Sequence, residues 1–231
     1  VFSGVVRIGA EEAVDLPEEP DRYRENVNQS PVATPDPRAS SRMIQGIDQA
    51  KANGDSLGGI IELSIQGAPP GLGSHVHWER RLDARLTYAL MSIPAIKGVE
   101  IGLGFKAAAL PGSEVHDPIY YDPQAGYYRR TNGAGGLEGG VTNGEILILR
   151  AAMKPIPTLM KPLASVDVAT KEPFEAVKER SDVCAVPAAS VVGKAVIAPV
   201  LANALLEKFG SDNINEIRQA WQNYCDYVRE Y

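Results

Sequence analysis

The chain has 231 residues, 44% of them apolar and 23% charged, the balance of an ordinary globular protein able to bury one substantial core. Its net charge of −6 shows no basic excess, which argues against a nucleic-acid partner. Two cysteines, Cys184 and Cys225, offer neither a disulfide framework nor zinc-ligand spacing, and no apolar run approaches the length of a membrane span.

The acidity is concentrated at the front. Residues 1–36 hold eight of the 29 acids but three of the 23 bases, so the rest is nearly neutral and can focus positive charge locally on an anionic ligand. With no visible signal peptide and no cysteine framework, a reducing, cytoplasmic setting without a membrane is expected.

In chain order, residues 1–8 (VFSGVVRI) read as a strand already under way and do not begin with Met, which suggests a piece of something longer. Residues 10–37 carry Pro17, Pro20, Pro31, Pro35 and Pro37 among acids and predict an extended connection rather than a core element. Asp36 as cap and Pro37 in the first turn start a helix that runs to about Ala52, where Asn53-Gly54 stops it. Residues 57–66 (LGGIIELSIQ) read as a strand and 68–73 as a loop. Apolar spacing of three and four over 82–92 predicts an amphipathic helix.

Residues 99–101 lead into 105–110, read as strand. Residues 119–121 and 127–129 flank DPQAG, a hairpin signal. Residues 146–153 form another strand. Residues 187–209 make a long apolar helix with a kink or break expected at Pro199, and 211–231 a terminal helix. Interleaved strands and helices with hairpin signals favour an α+β fold in a single domain over a doubly wound sheet.

Three segments could carry chemistry. In 133–144 six of twelve residues are glycine, so successive N–H groups could converge on an anion or lie flat against a planar ring. No Lys-Ser/Thr follows, which excludes a Walker loop, and a set of tight turns is the plainer reading. In 153–160 (MKPIPTLM) Lys154 ends a strand, and Pro155 and Pro157 stiffen the backbone after it; a surface lysine is the plainer reading. Arg180-Ser181-Asp182 could supply an anion clamp and a proton carrier, or a surface ion pair beside a helix start. His75 and His77 lack a third metal ligand and read as structural, as does His116 beside Asp117; Cys184 reads as inert.

These segments, together with GDSLGG (54–59), 67–73, LDARLTYALMSIPAIKGVEIGLG (82–104), AGGLEGG (134–140), Lys154-Pro155 and RSDVCAVPAASVVG (180–193), resemble chorismate synthases in the same order, from Val5 to about Phe209. The resemblance implies a β-α-β sandwich, a homotetramer, reduced FMN as cofactor and a phosphorylated small-molecule substrate. It implies flavin contacts at Pro94, Ala95, Gly139, Lys154, Pro155, Ile156, Pro157, Thr158 and Arg180, and catalytic roles for Asp182 and Arg180. Many relatives have Asn at the position of Pro94 and Thr-Ser at Ile156-Pro157, which leaves Thr158 as the surviving hydroxyl. The family's N-terminal histidines, arginines and Arg-Ser-Ser motif have no counterpart in this sequence.

The reaction implied is the 1,4-elimination of phosphate from 5-enolpyruvylshikimate 3-phosphate to give chorismate. The resemblance leaves open whether the flavin is reduced by the protein's own NADPH activity. A non-catalytic fragment that binds flavin or anions, or serves oligomerisation, stays open beside the lyase.

Overall fold

The computed structural model describes every residue except Glu18, Ala125, Glu179, Arg180, Ser211 and Tyr231. Its strands, in chain order, are Phe2–Ile8 (β1), Glu11–Glu12 (β2), Gly59–Ile65 (β3), Ile96–Ile101 (β4), Ile119–Asp122 (β5), Gly126–Arg129 (β6), Leu137–Glu138 (β7), Val141–Thr142 (β8), Leu147–Met153 (β9), Ala164–Val166 (β10) and Pro173–Glu175 (β11). Its α-helices are Pro20–Gln29 (α1), Pro37–Ala52 (α2), Leu82–Met91 (α3), Gly112–Val115 (α4), Val186–Phe209 (α5) and Ile214–Glu230 (α6). The class is α+β, as the sequence implies.

Five strands make one antiparallel sheet in the order β2-β1-β3-β9-β4. The period-two alternation of strand side chains sorts them onto two faces. Register pairs Ile61 with Ala151, Leu63 with Leu149 and Ile65 with Leu147, and all six side chains are buried. On that face lies α5, whose buried stripe Val186, Ala189, Gly193, Ile197, Leu201 and Ala204 recurs at helical spacing. Each large side chain buried there contributes about 1.5–3 kcal/mol. Beside α5, α3 packs through Leu82, Leu86 and Leu90. On the opposite face Arg150 donates to Glu62 at 2.9 Å, and α1 lays Tyr23 edge-on against Phe2, ring centroids 6.4 Å apart.

Four expectations need correction. Residues 10–37 are not extended throughout, because 20–29 form α1. Pro20 costs nothing at a first turn that has no N–H bond to lose, and buried Tyr23 anchors the helix. Residues 104–109 form a 3-10 helix rather than a strand. Gly102, in the left-handed region at φ 58°, turns the chain out of the sheet. A side chain there would start 2.2 Å from the Gly133 carbonyl oxygen.

Helix α5 runs unbroken through Pro199, which sits at an exposed position. That helix is also long and apolar enough, by length and composition, to cross a membrane, contrary to the reading of the sequence. A third of the apolar window is buried in the molecule, where the helix is the core's central element.

Candidate active site

Leaving β9, the chain becomes a strap, residues 154–158. Pro155 and Pro157 have no N–H, so the strap can offer backbone donors only at Lys154, Ile156 and Thr158. The Lys154 N–H donates to the Ala95 carbonyl at 2.9 Å. Ala95 lies in a turn closed by the Ile96 N–H on the Ile93 carbonyl at 3.2 Å, after Pro94, and holds φ 69° without being glycine. Such a conformation costs an alanine about 1–2 kcal/mol. Buried Ile93 and Ile96 fix it on either side. Two predicted flavin-contact segments, distant in sequence, are thereby joined at one corner of the sheet.

The strap rests on the loop 54–58. The buried Ser56 hydroxyl donates to the Ile156 carbonyl at 2.6 Å, and the Lys161 N–H donates to the Gly54 carbonyl at 3.0 Å. The strap crosses Gly58 so closely that a side chain there would start 2.3 Å from the Met153 carbonyl oxygen and 2.9 Å from Pro155 N. Along the same loop runs the segment carrying Asp182: the Leu57 N–H donates to the Val183 carbonyl at 2.8 Å, and Leu57 pairs with Cys184 in parallel. The Ser181 hydroxyl donates to the Thr158 carbonyl at 2.9 Å and ties that segment to the end of the strap.

Asp182 is exposed on a cleft of about 570 Å³ whose lining includes Thr158, Ser181, Cys184, Asp48 and Lys51. Lys154 is exposed and is not part of that lining. Arg180, expected to face the cofactor, lies outside the described residues. Burial, the largest influence on Cys184, pushes its thiol up, in keeping with an inert cysteine.

The glycine segment behaves differently from the anion cradle its composition suggests. One Asp117 carboxylate oxygen accepts from the Thr131 hydroxyl at 2.6 Å and the Gly133 N–H at 2.7 Å. Its other oxygen accepts from the Ala134 N–H at 2.9 Å. The Gly136 N–H goes to the Asn132 side chain at 2.8 Å. Burial alone would raise the Asp117 carboxyl. The bonds from Ala134, Thr131 and Gly133 outweigh it and hold the group below the usual carboxylate range.

Gly139 is at the β7-β8 turn, with open space where a side chain would be. Its neighbour Gly140 accepts the Leu82 N–H at 2.8 Å, at the start of α3, whereas Ala95 follows the end of α3. The ten residues of α3, roughly 15 Å of helix, therefore lie between Gly139 and the Lys154 corner. The structure brings Pro94, Ala95 and the strap together, sets Asp182 on the same supporting loop, and keeps Gly139 apart. His75 and His77 are exposed, and no group of metal-ligating side chains occurs among the described residues.

Ser56 is the residue that reading by composition missed; its signal was the GDSLGG motif itself. The donor set at the Lys154 corner fits a flavin phosphate or ring edge: an exposed cation, a proline-stiffened backbone and a strained turn beside it.

The sequence model of the family described as chorismate synthase matches residues 1–206. The chorismate synthase of Geobacter metallireducens is 56% identical over 234 residues, covering 98% of this chain and 60% of the relative. That of Thermus thermophilus is 58% identical over 205 residues, covering 89% of this chain and 54% of the relative. A crystal structure of chorismate synthase superposes with a TM-score of 0.82 at 41% identity, over 99% of this chain and 62% of that one. The chain thus spans a little over half the length of these relatives.

Proposed function

The chain belongs to the chorismate synthase family, and from that premise we propose that the protein eliminates phosphate from 5-enolpyruvylshikimate 3-phosphate to give chorismate. That is a carbon–oxygen lyase reaction in aromatic amino-acid biosynthesis. Reduced FMN, when bound, supplies a transient electron and takes up the C6 hydrogen, so that the 1,4-elimination runs without net redox. The observation that carries the reading is the bond from Lys154 to Ala95, which joins at one corner the two segments we assign to flavin contact.

At that corner Lys154 holds negative charge, on the cofactor or on the departing phosphate. The strap backbone from Pro155 through Ile156 and Pro157 to Thr158 forms a stiff wall, with Pro94 and Ala95 as its neighbour. Asp182 holds or moves a proton beside the flavin, and Arg180 pairs with phosphate.

Gly139, separated from the Lys154 corner by α3, is assigned to the flavin of a second copy in an assembled form such as the family's homotetramer. The hairpin β10-β11 supports a partner copy as well. It leaves Val168 81% and Phe174 58% exposed, and a lone two-stranded hairpin is marginal in water. The free thiols Cys184 and Cys225 suit a reducing, cytoplasmic setting.

The test is an anaerobic assay of the full-length protein with reduced FMN and substrate, comparing wild type with Asp182→Ala. The expected result is a loss of turnover of about 10²-fold or more, with FMN affinity within about twofold. Near-normal turnover with a tenfold loss of FMN affinity would refute the role given to Asp182. No chorismate formed by the wild type would refute the function.

A further inference from the structure

Among the described residues no strand ladder joins the strap to the Asp182 segment; both rest on the loop 54–58. Four separate contacts meet there. The Gly54 carbonyl takes the Lys161 N–H, the Ser56 hydroxyl holds the Ile156 carbonyl, Gly58 seats Lys154-Pro155, and Leu57 pairs beside Val183-Cys184. We infer that Ser56 is a positioning residue for the flavin strap. Its buried hydroxyl fixes the height and tilt of residues 154–158 over the loop, and Ser181 closes the same arrangement from the far side through the Thr158 carbonyl.

The reason lies in the strap's composition. With Pro155 and Pro157 removing two donors and the Lys154 N–H committed to Ala95, the strap's remaining backbone donors, without a partner among the described residues, are those of Ile156 and Thr158. Carbonyls anchored at residues 156 and 158 fix the 156–157 and 158–159 peptide planes, which bracket the 157–158 peptide that carries the Thr158 N–H. A ligand that bonds to this strap therefore meets donors already oriented, and less ordering remains to be done on binding. Freed from the Ser56 hydroxyl, the half-buried Ile156 carbonyl would turn toward another donor and take the strap with it.

The inference rests on the flavin site proposed above. It is tested on the full-length protein with oxidised FMN, by flavin fluorescence titration alongside circular dichroism and thermal melting. Ser56→Ala is expected to weaken FMN about tenfold at a temperature where the variant is fully folded, and Ser56→Thr, which keeps the hydroxyl, to stay within about threefold of wild type. Ser181→Ala, at an exposed residue, is expected to weaken FMN at least about threefold, and it decides the matter alone if Ser56→Ala does not fold.

FMN affinity within twofold of wild type in every folded variant, even with a lowered melting temperature, overturns the inference and leaves Ser56 a structural residue. Lys154→Ala separates that failure from a failure of the site. If it weakens FMN while the serine variants do not, the positioning role alone falls. If Lys154→Ala also binds normally, the strap is not the flavin site and both fall.

Discussion

Ala95 adopts a left-handed backbone that glycine would adopt freely, and it does so beside the bond from Lys154. Ala95→Gly relieves that strain at the cost of a more mobile unfolded chain, so a net gain of about 0.5–1 kcal/mol is expected. Urea denaturation reads it as a higher midpoint at unchanged slope; a lower midpoint would mean that the alanine methyl packs more than the strain costs. The same scale governs two carboxylates.

Asp36 caps α2 through the Arg38 and Ala39 N–H groups at 2.9 and 3.1 Å, and its other oxygen takes the Val14 N–H at 3.1 Å. Burial pushes the Asp36 carboxyl up, but these backbone donors prevail and hold it below its usual value, as they do at Asp117. A depressed folded pKa means that the unfolded chain takes up protons first as acid is added. The stabilisation is therefore complete above the unfolded carboxylate value of about 3.9 and disappears as pH falls through the lower folded values. Asp117→Asn, which sets an amide N–H against a donor, should cost about 1–3 kcal/mol at pH 7 and flatten the loss of stability below pH 4. Melting curves across pH 2.5–7 check both halves of that statement.

Among the elements, α5 tests how proline is carried in a helix. Pro199 leaves the carbonyl one turn before it without its helical donor, and its exposed position lets water take that place. Pro199→Ala restores the bond and should stabilise the protein by about 1–2 kcal/mol, seen as a higher denaturation midpoint. A fall would show that the proline's restriction of the unfolded chain outweighs the restored bond.

Pro199 also marks what the sequence could convey. Helix α2 was legible nearly to the residue, because Asp36, Pro37 and Asn53-Gly54 are local signals whose physics acts within one turn. Helix α1 was not, because its anchor is Tyr23 lying over the far face of the sheet, a contact that no local pattern carries. The 3-10 turn after β4 depends on Gly102 fitting against Gly133, again across the chain. At the site the strap itself was legible from its prolines and its position after a strand. Its support by Ser56 is a bond between residues 56 and 156, so the local motif GDSLGG could mark the serine but not the partner it holds.

At the scale of the whole molecule, cohesion falls off outward from the central pair β3 and β9. Each of these strands is paired on both edges, and Leu63 and Leu149 are fully buried between sheet and helices. Helix α6 sits at the other extreme. It has no buried residue, and it docks through Ile217, Ala220 and Tyr224 across an apolar groove of about 560 Å³ against α5. Its firmest hold is Tyr224, whose hydroxyl donates to the Pro70 carbonyl at 3.0 Å while its ring meets Phe209 with centroids 5.6 Å apart.

A helix with no buried residue should open without the sheet opening, since local stability follows buried apolar area and protected backbone bonds. Native-state hydrogen exchange should therefore find α6 amides exchanging at least about a hundredfold faster than those of β9, equivalent to roughly 3 kcal/mol of difference in opening free energy. Tyr224→Ala should speed α6 further and leave β9 unchanged. If α6 and β9 instead exchange together, the helix is part of the cooperative unit, and the groove beside it is filled by a segment or copy that locks it in place.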